Sequence, residues 1–133
     1  LSDAGAHANQ QCDASFATHL LGYWVRAKGV LSLEQAVWRL TGQPAAVYGF
    51  SGRGLVRPGC VADLVAFDAA SVGAEPLERA YDFPGGTNRL ISRSRGVHHM
   101  WVAGTQTRRD GVELPAHPGV LVRAPMEGSR WRR

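Results

Sequence analysis

The sequence predicts an α+β fold, because its helical signals come first and its strand signals follow. Two amphipathic helical patterns occupy the first third of the chain, and short apolar runs separated by Gly and Pro turns follow from Gly52. Segregated helices and strands are typical of α+β folds or of parts of two domains. With 133 residues, 44% of them hydrophobic, the chain is long enough to bury a core. We expect the boundary between the two parts near residues 49–54.

The first helix is predicted over residues 13–28. Its apolar side chains recur at helical spacing, with the main stripe formed by Phe16, Leu20, Trp24 and Ala27. Asp13 is expected to cap its start, and Gly29 offers the left-handed position past its end.

The second helix carries stronger boundary signals. Ser32 and Gln35 have the spacing of a capping box, and an apolar face follows them. Pro44 is predicted to interrupt this helix after Gly42, and a short helical turn over residues 44–48 is expected to resume before Gly49.

The second part of the chain predicts strands. Residues 62–67 are predicted to form a strong apolar strand. Residues 68–95 are polar, and Pro84, Gly85 and Gly86 among them disfavour strands, so this segment is predicted to be an irregular excursion. A hairpin is expected from residues 97–103 and 106–109 around a Gly104-Thr105 turn. A last strand is predicted over residues 120–122.

Composition excludes several classes of protein. No apolar run approaches the roughly 18 residues of a membrane span, and the first residues lack the pattern of a signal peptide, so we expect a cytoplasmic protein with no membrane partner. Cys12 and Cys60 stand in unlike contexts and predict two free thiols rather than a disulfide.

Charge is unevenly distributed along the chain. Residues 1–78 carry a net charge of −2 and residues 79–133 a net charge of +6. Such a basic half could bind nucleic acid through phosphate contacts, but its arginines lack interleaved aromatic residues. A solvated face with a frayed basic tail at 126–133 is the favoured interpretation, and nucleic acid is a disfavoured partner.

Polar residues of the kind found in active sites occur at the very start of the chain. Residues 1–7 place an aspartate, a glycine between two alanines and a histidine in one stretch, which fits a strand end opening into a tight loop. Because a domain rarely begins in this way, we expect the chain to start inside a larger catalytic unit.

The order of motifs resembles the carboxy-terminal portion of the amidohydrolase superfamily, in particular its N-acyl-D-amino-acid deacylase branch. The resemblance is carried by Ser2-Asp3-Ala4-Gly5-Ala6-His7, by Leu33 to Val37 with Pro44-Ala45, by Pro58-Gly59 with Ala62 to Asp68, and by the Val102-Ala103-Gly104 turn. Ala103 departs from the family, which usually has asparagine there, and Phe50 stands where leucine is common. Both departures concern packing or a turn.

The resemblance implies an architecture in which this chain is one part. Residues 1–50 would be the last strand end and covering helices of a (β/α)8 barrel, and residues 51–125 would belong to a small antiparallel β-sandwich, followed by the basic tail. The missing amino-terminal part of the enzyme would be its partner, and self-association is expected where that part is absent, because apolar faces and strand edges would be exposed.

The resemblance also implies a site. Asp3 would be the general acid and base of amide hydrolysis and a candidate metal ligand, while Ser2 and His7 are candidates for substrate binding. The substrate would be a small N-acyl amino acid or related amide, such as an N-acyl-D-amino acid. The cofactor would be zinc or another divalent metal in the full-length enzyme.

The sequence lacks the other ligands that such a metal requires. It has no His-x-His pair, Lys28 is its only lysine, and its histidines are scattered. We therefore expect no metal bound to this chain alone and no activity.

His98 and His99 are adjacent on a strand and point to opposite faces, so they cannot hold one ion together. Residues 81–86 are expected to form a loop near the substrate. The alternative to a hydrolase part is a non-catalytic α+β interaction module that uses the basic half to bind nucleic acid or protein.

Overall fold

A computed structural model describes residues 9–123 of the chain. Its contacts define two compact units: the first contains residues 9–36 and 66–98, and the second contains residues 37–65 and 99–123. The helices are α1 (Phe16–His19), α2 (Leu33–Leu40) and α3 (Gly42–Val47), with a π-helix over Leu20–Ala27 and a 3-10 helix over Pro84–Gly86. The strands are β1 (Leu64–Phe67), β2 (Gly73–Ala74), β3 (Glu78–Ala80), β4 (Arg89–Ile91), β5 (Ser94–Arg95), β6 (Val97–Val102), β7 (Thr105–Arg109) and β8 (Val112–Glu113).

The first predicted helix is present but begins later than expected. α1 starts at Phe16 and continues directly into the π-helix, where the Lys28 N–H donates to the carbonyl of Tyr23, five residues earlier, at 2.9 Å. The predicted cap by Asp13 is wrong, because the backbone carbonyl of Asp13, not its carboxylate, accepts the Phe16 N–H at 3.1 Å. Gly29 has a φ of +61° and takes the left-handed conformation predicted for it.

The second helix confirms its capping box. The Ser32 hydroxyl accepts the Gln35 N–H at 3.2 Å, and the Gln35 side-chain oxygen accepts the Ser32 N–H at 3.0 Å. The predicted interruption is present but lies earlier than expected, because α2 ends at Leu40 and α3 begins at Gly42, before Pro44. The helical turn predicted over residues 44–48 is present as α3. Pro44 therefore lies in a first helical turn, where its missing N–H has no intrahelical acceptor to lose.

Four strands form one sheet in the spatial order β1-β6-β7-β8. The predicted hairpin is present: β6 and β7 are antiparallel, and Val102 pairs with Thr105. The turn predicted at Gly104-Thr105 is wrong by one residue, because Thr105 already belongs to β7. Between the two strands, Ala103 and Gly104 have φ values of +48° and +79°, the left-handed pair that a two-residue hairpin turn requires. The strand predicted over residues 62–67 is present as the shorter β1, and no strand forms at 120–122, where all three side chains stay exposed.

Residues 68–95 are more ordered than the sequence predicted. β2 pairs with β5 and β3 pairs with β4, both antiparallel, so the excursion contains two short ladders. The prediction of an irregular segment was wrong because these ladders carry charged side chains instead of the apolar alternation that marks a strand. Glu78 of β3, for example, pairs with Arg93, which lies between β4 and β5, at 2.8 Å.

The core of the first unit lies where the π-helix meets the start of the excursion. Leu21 and Val72 are buried there, with Val72 only 1% exposed. A Cβ atom on Gly22 would lie 2.8 Å from the Val72 carbonyl oxygen, so only glycine allows this approach. One turn further on, the Arg26 guanidinium donates to the carbonyls of Val72 and Ala69. A close helix–backbone contact and an arginine bond therefore fix the excursion on the helix.

In the second unit, Asp63 connects the segment that precedes β1 to the β6–β7 turn. Its carboxylate accepts the Ala103 N–H at 2.8 Å and pairs with Arg53. Beside it, the Gly104 N–H donates to the carbonyl of Ala62 at 2.9 Å. These bonds tie the hairpin turn to the segment preceding β1. The described residues thus contain mixed helices and strands, and they do not form a closed barrel.

Candidate functional site

The residues that the sequence singles out most strongly lie outside the described part of the chain. Asp3, Ser2 and His7 precede residue 9, and the basic tail at 126–133 follows residue 123. The structure describes the chain immediately after the candidate catalytic residues, from Asn9 to the start of α1. We call residues 9–15 the exit segment.

A cavity of about 650 Å³ lies between the exit segment and the excursion. Both sides of this cavity belong to the first compact unit. The exit segment and α1 contribute one wall, and the two ends of the excursion contribute the other; the lining residues are Cys12, Asp13, Ser15, Phe16, His19, Ala74, Glu75, Pro76, Leu77, Ser92 and Arg95. The excursion therefore flanks the chain that leaves the candidate catalytic residues.

The β3–β4 ladder also reaches the exit segment. Arg79 of β3 donates through Nη1 to the carbonyl oxygen of Asn9 at 3.3 Å, and the same atom donates to the side-chain oxygen of Asn88. The sequence did not predict this contact. Arg79 and Asn9 are 70 residues apart, and the contact depends on the pairing of β3 with β4, which no local sequence pattern indicates. The cross-strand register of Arg79 opposite Leu90 brings Asn88 close to it.

At the end of the same ladder, Asp82 and Arg89 form a two-pronged ion pair. Arg89 donates through Nε and Nη2 to the two carboxylate oxygens at 2.9 and 2.7 Å. The hydrogen bonds and charge of Arg89 hold the pKa of Asp82 below its ordinary value, and Asp82 in turn raises the pKa of Arg89. The guanidinium also lies over the Phe83 ring, 5.5 Å from its centroid. The loop over residues 81–86, predicted to lie near the substrate, is thus closed by this pair.

Several arginines of the basic half are engaged by neighbouring side chains in the described residues. Arg89 pairs with Asp82, Arg93 with Glu78 and Arg95 with Glu75, and Arg109 donates to Gln106. Three of these arginines are therefore paired with carboxylates, which reduces the positive charge they offer to a phosphate.

Within residues 9–123, no group of three or more His, Cys, Asp and Glu side chains is placed to hold a metal ion. The His99 ring nitrogen Nδ1 lies 3.3 Å from Nε2 of Gln106, and its ring contacts Trp101. Cys12 and Cys60 are both free thiols and half-buried. The described residues therefore do not supply a metal-ligand set.

Comparison with known proteins identifies the family. The model of the Amidohydrolase family Amidohydro_3 matches residues 2–108, most of the chain. The chain belongs to the amidohydrolase family. The matched range includes Ser2, Asp3 and His7, and the relatives described next confirm the resemblance to the N-acyl-D-amino-acid deacylase branch.

Several relatives of this amidohydrolase chain are named deacylases or aminoacylases. It is 38% identical over 117 residues to an N-acyl-D-aspartate deacylase and 35% identical over 105 residues to a D-aminoacylase, both from Alcaligenes xylosoxydans xylosoxydans. These matches cover 86% and 78% of the chain but only 21% and 20% of the relatives. The chain thus spans about a fifth of the length of the curated relatives it matches.

Solved structures show the same relationship. A D-aminoacylase crystal structure matches 75% of the chain with a TM-score of 0.59 and 35% identity, over 19% of its own length. An N-acyl-D-glutamate deacylase from Bordetella bronchiseptica, complexed with zinc and a phosphonate mimic of the tetrahedral intermediate, matches 68% of the chain and 17% of its own with a TM-score of 0.52 and 38% identity. Another D-aminoacylase structure concerns the role of a binuclear metal centre.

Among the described residues, no helix is both long enough and apolar enough to cross a membrane.

Proposed function

We propose that this chain is the carboxy-terminal part of a metal-dependent amidohydrolase that hydrolyses a carbon–nitrogen bond other than a peptide bond. The observation that carries the proposal is the family match beginning at residue 2, which includes Asp3. The relatives named for their substrates act on N-acyl-D-aspartate and N-acyl-D-glutamate, so the substrate class is an N-acyl-D-amino acid.

In this proposal Asp3 moves the proton. Amide hydrolysis needs a base that accepts a proton from the attacking water and an acid that delivers one to the leaving nitrogen, and one carboxylate can do both in turn. Ser2 and His7 bind the substrate beside it. A divalent metal, when bound, supplies the lowered pKa of the attacking water. Because residues 9–123 hold no ligand cluster, the proposal assigns the remaining ligands to the preceding part of the enzyme.

The proposal divides the chain by role. Residues 1–50 complete the barrel-type catalytic domain, residues 51–125 belong to the small β-sandwich, and residues 126–133 form the basic tail. Exposed aromatic side chains on the first helix support the first assignment: Phe16, Tyr23 and Trp24 are each 40–47% exposed. Side chains of this size on one helix need an apolar surface to cover them, which a barrel would provide.

The activity assay compares two samples. The complete enzyme, in which the preceding part is joined to this chain, is expected to release the free amino acid from N-acetyl-D-aspartate or N-acetyl-D-glutamate when zinc is present. The chain alone is expected to release none and to bind no stoichiometric zinc in equilibrium dialysis. A complete enzyme that hydrolyses no N-acyl-D-amino acid would contradict the proposed activity, and zinc-dependent turnover by the chain alone would contradict the division of the site.

Sedimentation tests the physical consequence of that division. With its helical aromatic side chains uncovered, the chain alone is expected to self-associate, and joining it to the preceding part should remove the association. A clean monomer over a wide range of concentrations would contradict the assignment of these side chains to a buried surface.

A further inference from the structure

A smaller cavity of the first compact unit lies where the first helix meets the β2–β5 ladder. Its volume is about 260 Å³, and the residues that line it include His19, Gly22, Tyr23, Arg26, Gly73 and Arg95, all of the same compact unit. The His19 ring stacks on that of Tyr23, with the ring centroids 5.1 Å apart. Among the residues that the structure describes, no carboxylate lines this cavity. Its walls therefore favour a negatively charged ligand.

Two buried glycines leave open the space beside the guanidinium groups. A Cβ atom on Gly22 would lie 2.9 Å from the Cα of Gly73, so the helix and β2 meet with no side chain between them. The same Cβ atom would lie 3.4 Å from Nη2 of Arg26, and a Cβ atom on Gly73 would lie 3.3 Å from Nη2 of Arg95. Both Nη2 atoms therefore lie beside one glycine contact, where an alanine would fill part of the space.

Each guanidinium is held by the backbone but keeps Nη2 available. Arg26 donates to two backbone carbonyls of the excursion through Nη1 alone. Arg95 donates to the Ser71 carbonyl through Nε and pairs with Glu75 through Nη1 at 3.5 Å, which is long for a hydrogen bond. Within residues 9–123, neither Nη2 atom donates a hydrogen bond. Because the guanidinium is planar and rigid, the bonds already made orient the donors that remain.

The nearest carboxylates lie outside this cavity. Glu75 accepts only the long bond from Arg95. Asp68 interacts electrostatically with Arg26, but its two oxygens accept hydrogen bonds from its own turn. Lys28 adds a further positive charge, because its Nζ lies 5.4 Å from the centroid of a ring that lines the cavity. Basic groups thus outnumber carboxylates around the cavity in the described part of the chain.

We propose that this cavity binds a small oxyanion, the phosphate or carboxylate group of a small molecule. Nη2 of Arg26 and Nη2 of Arg95 donate to its oxygens, and the His19 ring supplies a further donor. A guanidinium matches the oxygens of either group in geometry and charge. The glycine contact lets the anion approach the backbone closely. Binding at this site does not depend on the hydrolase function, so its test needs neither substrate nor zinc.

Phosphorus NMR of inorganic phosphate tests the site in the 133-residue chain. With a chelator present to exclude metal ions, the chain is expected to broaden the phosphate resonance, and binding should saturate in the millimolar range. Chloride at the same ionic strength should leave the broadening in place, because directed hydrogen bonds depend less on salt than charge attraction alone does. An absent broadening, or one that chloride abolishes, would overturn the proposal.

Variants on the two sides of the cavity test its location. Gly73→Ala fills the space beside Arg95 without changing the net charge, and Arg95→Gln removes the donor itself. Each is expected to weaken phosphate binding by about tenfold, the effect of losing one charge-assisted hydrogen bond.

Arg93→Gln is the matched control for charge. It removes the same charge from the same excursion, but Arg93 does not line the cavity and pairs with Glu78, so phosphate affinity should stay within about twofold of the wild type. Wild-type affinity in Gly73→Ala or in Arg95→Gln, or an equal loss in Arg93→Gln, would overturn the proposal. If one of the two cavity variants does not fold, the other decides by the same comparison.

Competition with acetate distinguishes the two kinds of oxyanion. Acetate that displaces phosphate at a comparable concentration supports a site for carboxylates. Phosphate that stays bound in the presence of acetate supports a site for phosphate groups.

Discussion

Replacing Gly22 by alanine tests the packing that fixes the excursion on the first helix. The added Cβ would lie 2.8 Å from the carbonyl oxygen of Val72 and 2.9 Å from the Cα of Gly73. Both atoms belong to the backbone, so no side chain can turn aside to relieve the contact. The helix must therefore move away from Val72, and the bonds that Arg26 donates to the same stretch of backbone must lengthen.

Two opposing terms set the size of the effect. Overpacking of a tight contact costs about 1–3 kcal/mol, whereas alanine gains up to about 1 kcal/mol over glycine in a helix. The net loss is centred on about 1 kcal/mol, which lowers the melting temperature by roughly 3–5 °C for a chain of this size.

Thermal unfolding followed by circular dichroism measures this loss. Gly119→Ala is the matched control, because nothing lies within 4 Å of the Cβ position at Gly119. The control should leave the melting temperature unchanged. A Gly22→Ala variant as stable as the wild type, or more stable, would refute the argument, since helix propensity alone would then account for the substitution.

Three further predictions concern individual bonds. Ser32→Ala removes the hydroxyl that accepts the Gln35 N–H and should cost about 1 kcal/mol in the free energy of unfolding, measured by urea denaturation; a change below about 0.3 kcal/mol would contradict the role of the capping box. The hydrogen bonds from Arg89 lower the pKa of Asp82 in the folded state below its ordinary value. The contribution of Asp82 to the free energy of unfolding is therefore present at neutral pH, and it is lost as the pH falls through the ordinary aspartate range to the folded-state pKa. Asp82→Asn should therefore reduce the difference between the free energies of unfolding at pH 7 and pH 3. An unchanged difference would contradict a stabilising role of the Asp82–Arg89 ion pair. Asp63→Ala should speed amide exchange in the β6–β7 turn, and exchange as slow as in the wild type would show that the turn does not need this carboxylate.

Local signals carried most of the successful fold predictions. The capping box at Ser32 and Gln35 and the existence of the β6–β7 hairpin depend on residues a few positions apart, so local patterns predict them, although the turn lies at Ala103-Gly104, one residue before its predicted position. The helix start at Phe16 was missed by three residues, because a backbone carbonyl took the role that an acidic side chain commonly has at such a position.

Long-range pairing accounts for the rest. The ladders within residues 68–95 have no apolar alternation, since their strands are held by charged side chains and by backbone bonds that no local pattern encodes. For the same reason the bond from Arg79 to Asn9 could not be predicted. The site residues came from the resemblance to the deacylase branch, which identified Asp3 through a motif at residues 2–7 and not through geometry.

The most direct test of the account is the turnover of the complete, zinc-loaded enzyme carrying Asp3→Asn. We expect kcat for an N-acyl-D-amino acid to fall by at least about a hundredfold, because general acid–base catalysis contributes on that order, with zinc content unchanged or reduced. Asp13→Asn, which alters a carboxylate in the exit segment, should leave kcat within about twofold of the wild type. An Asp3→Asn enzyme that retains wild-type turnover would contradict the central claim that this carboxylate moves the proton in the reaction.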